Sequence, residues 1–222
     1  MNLKNKLYKN QGIHLLATIF TIDKGNVKVL LIKRSNNPYN GMWGLVGGAL
    51  YNNETLDYGM QREIKEKTSL DKVNLYKANI FDRVDRSPIC RMICISYIGI
   101  VDSKKVDIQK VTEKTSDAEW FDIKNIPDLA YDGNEILSMN LETLKNYIVK
   151  TNILKNFYSG TFTIPELQKT YEIILDKKLD RRNFRKKVLN LLDSVNKETK
   201  FDGNKPANLY KFKDDIKIDN VL

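Results

Sequence analysis

The first hundred residues break into short apolar runs separated by polar turns, which is a pattern of strands. Residues 13–22 (IHLLATIFTI) and 27–33 (VKVLLIK) are apolar and rich in β-branched side chains. Asp23-Lys24-Gly25-Asn26 between them supplies a hairpin turn. Ser35 to Gly41 is a polar loop containing Pro38. From about Glu54 to Thr68 the period changes: Leu56, Met60 and Ile64 recur every four residues, predicting a helix with one buried stripe. Gly59 inside it costs roughly 1 kcal/mol relative to alanine, so a packing reason is expected there. Residues 73–84 and 89–101 read as two more strands, joined through Asp85-Arg86-Ser87-Pro88. Residues 133–149 hold enough apolar positions for a closing helix. Strands interspersed with two helices predict an α/β domain with a mixed sheet between helical layers.

The pattern after residue 150 is different. Thr163-Ile164-Pro165-Glu166 is a helix start, in which Thr163 caps, Glu166 completes a capping box and Pro165 sits in the first turn. Leu167, Tyr171, Ile174 and Leu175 then share one face. After a short turn at 176–179, Asp180 caps a second helix expected over 181–192, where Phe184, Val188, Leu191 and Leu192 repeat that spacing. Its opposite side carries Arg182, Arg185 and Lys186, with Arg181 and Lys187 on the flanks. Asn183 serves either as a local cap or as a base reader. Two short amphipathic helices with a cationic outer face on the second predict a winged helix-turn-helix domain. Residues 194–200 and 209–213 flank an Asp202-Gly203 turn, a β-hairpin in the position of a wing, with Lys205 at its basic tip and Lys211 on its second strand. The expected domains are 1–150 and 151–222, with Ser159-Gly160 punctuating the chain near the boundary.

Charge strengthens this division. The chain has a net charge of +9 and a pI near 9.3. Residues 151–222 hold 15 Lys plus Arg against 10 Asp plus Glu, while residues 1–150 hold 22 against 18 over twice the length. That bias suits a polyanionic partner, or a Lys-rich genome. Cys90 and Cys94 are the two cysteines and His14 the single histidine, which argues against a structural zinc site. Four apart in a predicted strand, the thiols are expected on one side, buried and reduced. No run approaches the roughly 20 apolar residues of a membrane span, and no signal-peptide pattern opens the chain, so the expected location is the cytoplasm, with no membrane partner. His14 is read as a strand residue, Trp43 and Trp120 as core, and Arg34 as facing either ligand or solvent.

The chemistry lies in Gly48 to Leu70. Gly48, Glu54, Arg62-Glu63-Ile64 and Glu66 resemble the signature of the Nudix family, preceded by Trp43-Gly44-Leu45-Val46-Gly47-Gly48. Gly47 and Gly48 let backbone approach a phosphate or metal without an intervening Cβ. Two positions depart from the signature: Lys67 stands where a second Glu is expected and Ser69 where a Gly is. The resemblance implies a Nudix-type α/β/α sandwich, with 118–121 as a late strand and 126–129 as a short helix. At about 100° per residue, Glu63, Glu66 and Lys67 project from one face of the helix. Nudix hydrolysis uses carboxylates to hold Mg²⁺ against a diphosphate. A unit charge pair at about 4 Å is worth about 4 kcal/mol at an effective dielectric of about 20, so an ammonium facing a dication costs about twice that. No catalytic set is therefore intact: Glu63 and Glu66 stand as vestigial catalytic residues, and as ligands only if Mg²⁺ is bound. No cofactor is required. The expectation is that Lys67, held by Glu63 and Glu66, takes over the work of the metal.

Residues 161–212 closely resemble the C-terminal domain of the Nudix-related transcriptional regulators, in which a Nudix domain precedes a winged helix. Asp85-Arg86-Ser87-Pro88 with Arg91 is similar to a family segment, and Tyr131-Asp132-Gly133 to an Asp-His step that lacks its His. The family implies a homodimer on double-stranded operator DNA that responds to ADP-ribose or a related nucleotide, as repressors of NAD-biosynthesis genes do. The effector pocket implied consists of Arg34, Gly47, Gly48, Glu54, Arg62, Glu63, Glu66, Lys67, Arg86 and Arg91. Two alternatives stay open: an active Mg²⁺-dependent hydrolase of ADP-ribose or another nucleoside diphosphate derivative, and a regulator responsive to a sugar such as arabinose.

Overall fold

Lys24 and Gly25 take left-handed conformations (φ 48° and 75°), turning the chain back so that β1 (Gly12–Asp23) and β2 (Asn26–Arg34) pair as a hairpin. The computed structural model describes the backbone of residues 10–202 and 205–213, and within those the side chains outside 196–207. β3 (Trp43–Ala49) runs antiparallel to β1 and β2, β4 (Asn74–Phe81) antiparallel to β5 (Met92–Ile100), and β6 (Thr115–Asp122) antiparallel to β2. β5 joins β1 in parallel, Leu16 opposite Ser96. The result is the expected mixed sheet, in the order β4-β5-β1-β3-β2-β6. Leu15, Ala17, Ile19 and Phe20 are fully buried at its centre.

α1 (Leu56–Thr68) begins two residues later than its pattern suggests, because Thr55 is extended and its side chain caps Tyr58 N. Met60 and Ile64 are fully buried, as their spacing predicts. Gly59 has the packing reason expected of it: a Cβ there would lie 2.7 Å from Glu54 Oε1 and 2.9 Å from Leu50 Cδ1. Ser69 ends the helix at φ 61°, the left-handed conformation that explains why a glycine suits this position. On α2 (Gly133–Lys150), buried Asn140 donates to Thr18 Oγ1 and accepts from Ser96 Oγ and Asn79, linking the helix to three strands. Every bond in that network has a buried partner to satisfy, which makes the register specific.

Three sequence expectations are corrected. No helix forms over 126–129: Leu129 bridges Trp43 in parallel, and its N–H donates to Asn134 Oδ1, so the next helix waits until Gly133. The strands at 73–84 and 89–101 are shorter, because Arg91 donates to the carbonyls of Asp82 and Arg83 and holds 82–91 as a loop. Cys90 lies in that loop and is exposed; only Cys94 is buried, where burial pushes its thiol up to about 12.

Contacts divide the chain into two units, the second comprising Thr21–Val27, Val101–Lys105 and the chain from Leu141 onward. In this second unit a short 3-10 turn (Ile153–Phe157) precedes α3 (Ile164–Leu175), where both halves of the Thr163–Glu166 capping box form. α4 (Arg181–Val188) is shorter than expected, since a 3-10 turn follows and Leu192 already pairs with Phe212 in the two-stranded sheet of β7 (Leu192–Asp202) and β8 (Lys205–Phe212). The tip of that hairpin, 203–204, lies outside the described residues. Phe162, Tyr171, Phe184 and Val188 form the buried centre of this unit, with Tyr171 edge-on to Phe184. No described helix is long and apolar enough to cross a membrane.

The capping box makes a testable contribution. Thr163→Ala removes the hydroxyl half of the box and keeps the backbone bond from Thr163 N–H to Glu166 Oε2. The expected loss is about 1 kcal/mol, or roughly 2–4 °C in Tm, read by thermal unfolding of the full chain.

Candidate functional site

The site grows from the close approach of α1 to the end of β3. A Cβ on Gly47 would lie 1.9 Å from Leu15 O, and one on Gly48 would lie 2.4 Å from Glu63 Oε2. Only glycines allow this spacing, and the Glu63 carboxylate rests directly on the Gly48 backbone.

Arg62 is the hub of the box. Its guanidinium forks onto Glu54 (Nε to Oε2 2.8 Å, Nη2 to Oε1 2.6 Å), reaches Glu63 Oε1 at 2.6 Å and Glu66 Oε2 at 3.3 Å, and donates to Ala49 O. Tyr51 stacks on it with the ring centroid 3.7 Å away. Arg62 holds the Glu54 carboxyl down from its usual 4.5 to about 2. Glu66 is also bound by Lys114 at 2.6 Å.

Lys67 lies across the site. Its ammonium stands 3.1 Å from Glu63 Oε2 and donates to Gly47 O, with 12% of the side chain exposed. Burial pushes this lysine below its usual range, Glu63 opposes the shift, and Arg34 and Lys114 add to it. The expected partnership of Lys67 with Glu66 does not form, because Glu66 is taken by Lys114 and Arg62. The carboxylates Glu54, Glu63 and Glu66 are thus matched by the cations Arg62, Lys67 and Lys114.

These residues do not fit a divalent cation. Mg²⁺ calls for about six oxygens in octahedral array. Here Lys67 engages Gly47 O and Glu63 Oε2, and Arg62 takes both oxygens of Glu54. Among the described residues, no three His, Cys, Asp or Glu side chains group to hold a metal.

Beside the box lies a group that sequence reasoning missed. Tyr39 and Tyr131, both left-handed (φ 66° and 58°), meet with ring centroids 4.7 Å apart. Arg34 lies over Tyr131 at 5.1 Å and donates to Pro38 O, which answers whether it faces only solvent. His14 meets Tyr131 edge-on. Burial, then the charges of Arg86, Lys67 and Arg34, push its imidazole from 6.5 to about 3, so it is neutral. Arg86 is fully buried and paired bidentately with Asp132 at 2.7 and 2.8 Å. Arg91 serves the 82–91 loop instead of joining these groups. The hint available beforehand was Tyr131-Asp132, whose Asp turns out to position Arg86. Trp43 and Trp120 are half-buried, with Trp43 edge-on to Phe121.

In the second unit, α4 sorts its side chains as the pattern requires. Phe184 and Val188 are buried, while Arg181, Arg182, Asn183, Arg185, Lys186 and Lys187 are exposed. Asp180 caps the helix through Asn183 N–H, leaving the Asn183 side chain outward. Lys211 is exposed on β8; the Lys205 side chain lies outside the described residues.

An α/β domain bearing a Nudix box and a two-helix unit with a β-hairpin wing define a class of sensor-like domain joined to a winged helix. Comparison with known proteins agrees. Residues 13–139 match the NUDIX domain model and residues 156–212 the NrtR DNA-binding winged helix domain. The ADPR responsive transcriptional repressor NtrR of Acinetobacter baylyi is 30% identical over 201 residues, covering 87% of this chain and 79% of that protein. The crystal structure of Shewanella oneidensis NrtR complexed with a 27mer DNA superposes with a TM-score of 0.78 at 27% identity, over 90% of this chain and 93% of that one. An ADP-ribose pyrophosphatase of Methanocaldococcus jannaschii is 37% identical over 134 residues, 60% of this chain and 75% of that protein. The chain belongs to the NrtR family of Nudix-related regulators.

The Glu54–Arg62 fork sets a pH dependence. The folded-state pKa of Glu54, about 2, lies below its usual 4.5, so its stabilisation is complete above about 4.5 and is lost as pH falls toward 2. Glu54→Gln should lower stability near neutrality and flatten the loss across that window. Denaturant midpoints measured against pH check this; parallel curves for the two proteins would contradict the assignment.

Proposed function

We propose that this protein is a cytoplasmic, homodimeric transcriptional repressor of the NAD-metabolism type. Its Nudix-like domain (1–150) senses ADP-ribose or a related nucleotide, and its winged helix (151–222) binds operator DNA. The observation that carries this reading is α4: six polar side chains, five of them cationic, face solvent from a helix whose two apolar residues are buried, Phe184 against Tyr171 of α3. Arg182, Arg185 and Lys186, flanked by Arg181 and Lys187, meet the phosphates, with Asn183 placed to read a base edge. Lys205 and Lys211 contribute from the wing. A two-fold dimer fits a palindromic operator. The similarity to a repressor described as ADPR responsive supports the effector assignment.

A second reading, hydrolysis of ADP-ribose, is favoured by the similarity to an ADP-ribose pyrophosphatase. The occupied carboxylates of the box argue against it, and no AMP is expected when ADP-ribose is incubated with the protein and Mg²⁺.

Duplexes selected from a random library supply the operator, and fluorescence anisotropy gives affinity across salt. Arg182→Ala combined with Arg185→Ala should weaken binding to every duplex and reduce the salt slope by roughly 2, about 0.9 for each phosphate left without its guanidinium. Unchanged affinity and slope would remove α4 from the interface. In the same assay ADP-ribose should alter operator affinity; no change at saturating ligand would sink the effector assignment.

A further inference from the structure

We propose that Lys67 is a built-in cation: its ammonium fills the oxygen cage formed by Gly47 O and Glu63 Oε2, so the site takes the diphosphate of its nucleotide ligand on a protein charge and needs no divalent metal. This rests on the sensor reading above and states how that sensor holds its ligand.

The cage is rigid on both sides. Gly47 cannot shift toward β1, since even a Cβ there would overlap Leu15 O. Glu63 cannot retreat, because its carboxylate lies on Gly48 and its Oε1 is pinned by Arg62 at 2.6 Å. Glu63 Oε2 is buried with no aligned hydrogen-bond donor, so what Lys67 gives it at 3.1 Å is charge. Lys67 has three N–H donors. One goes to Gly47 O, and of the remaining two at least one is the donor that an arriving phosphate oxygen would take.

The charge balance points the same way. Three carboxylates and three cations already neutralise the box. A dication entering it would meet Lys67 at close range and find Glu63 and Glu54 engaged. A diphosphate meets the opposite situation: Lys67 in front, and beside it Arg34, a cation outside the paired set and near enough for its charge to act on Lys67. An ammonium binds phosphate as a point charge and supplies no coordination geometry that would ready a water, so the ligand is held without being cut.

The test uses the full chain and two measurements. Isothermal titration with ADP-ribose, in excess EDTA and in excess MgCl₂, should give wild-type affinities within about twofold of each other. Lys67→Met should lose about tenfold to a hundredfold in both media, the worth of one charge-assisted bond. Separately, Mn²⁺ binding to the ligand-free protein is followed by electron paramagnetic resonance. Wild type should bind no Mn²⁺ at the box, whereas Lys67→Glu should gain a site and make ADP-ribose affinity depend on Mg²⁺. Thermal melts confirm that both variants fold. Collapse of wild-type affinity in EDTA overturns the proposal. So does wild-type affinity in Lys67→Met, or wild-type Mn²⁺ binding equal to that of Lys67→Glu. If wild type gives no heat with ADP-ribose in either medium, the effector assignment falls, and the Mn²⁺ comparison still decides the role of Lys67.

Discussion

α1 lies as close to β3 as it does because Gly48 carries no side chain, while Gly47 lets β3 lie against the backbone of β1 at Leu15. That proximity sets the rest of the site. It brings the Glu63 carboxylate onto backbone, where it loses most of its water and must find charge partners. Arg62 supplies one and Lys67 the other. With Arg62 committed to Glu63, its remaining donors reach Glu54, Glu66 and Ala49 O, which fastens the loop before the helix to the helix itself. Gly59 belongs to the same constraint, since Glu54 and Leu50 lie where its Cβ would be. One steric fact thus organises the pairing of carboxylates with cations throughout the box.

The region beside the box follows a different logic. Its centre is the buried Arg86–Asp132 pair, which fixes the segment carrying Tyr131, while burial first and the Arg86 charge second keep His14 neutral. Tyr39 and Tyr131 both sit in a left-handed conformation that costs a non-glycine residue on the order of 1 kcal/mol or more. Such conformations persist only where surrounding contacts over-determine them, and here the two rings touch each other while Arg34 and His14 touch Tyr131. Two aromatic rings and a guanidinium beside a buried ammonium make a surface suited to a nucleotide.

In the winged unit Asp176 closes α3 in a left-handed conformation (φ 51°), and the rest follows from helix packing. Phe184 and Val188 on α4 and Tyr171 on α3 point inward because burial of their apolar area is worth a few kcal/mol each. The cationic side chains between them are then outward by the geometry of the helix. The face offered to a partner is a consequence of core packing.

Much of this was legible in the sequence for a physical reason. Periodicity, caps and turn chemistry are local, so α1, α3, the Thr163–Glu166 capping box, the β1–β2 hairpin and the sidedness of α4 followed from residues a few positions apart. The box itself is local too, since Glu54, Arg62, Glu63, Glu66 and Lys67 lie within 14 residues. The lost helix at 126–129, the exposed Cys90 and the early end of α4 depended on pairing with distant backbone, which spacing does not encode. Tertiary structure alone decided that Glu66 belongs to Lys114, 48 residues away, that Asp132 claims Arg86, and that His14 is held neutral among cations. A helix presents Glu63, Glu66 and Lys67 on one face, and the sequence determines that much. Which of them the ammonium joins depends on what the fold brings to each: Gly47 O beside Glu63, and a competing lysine beside Glu66.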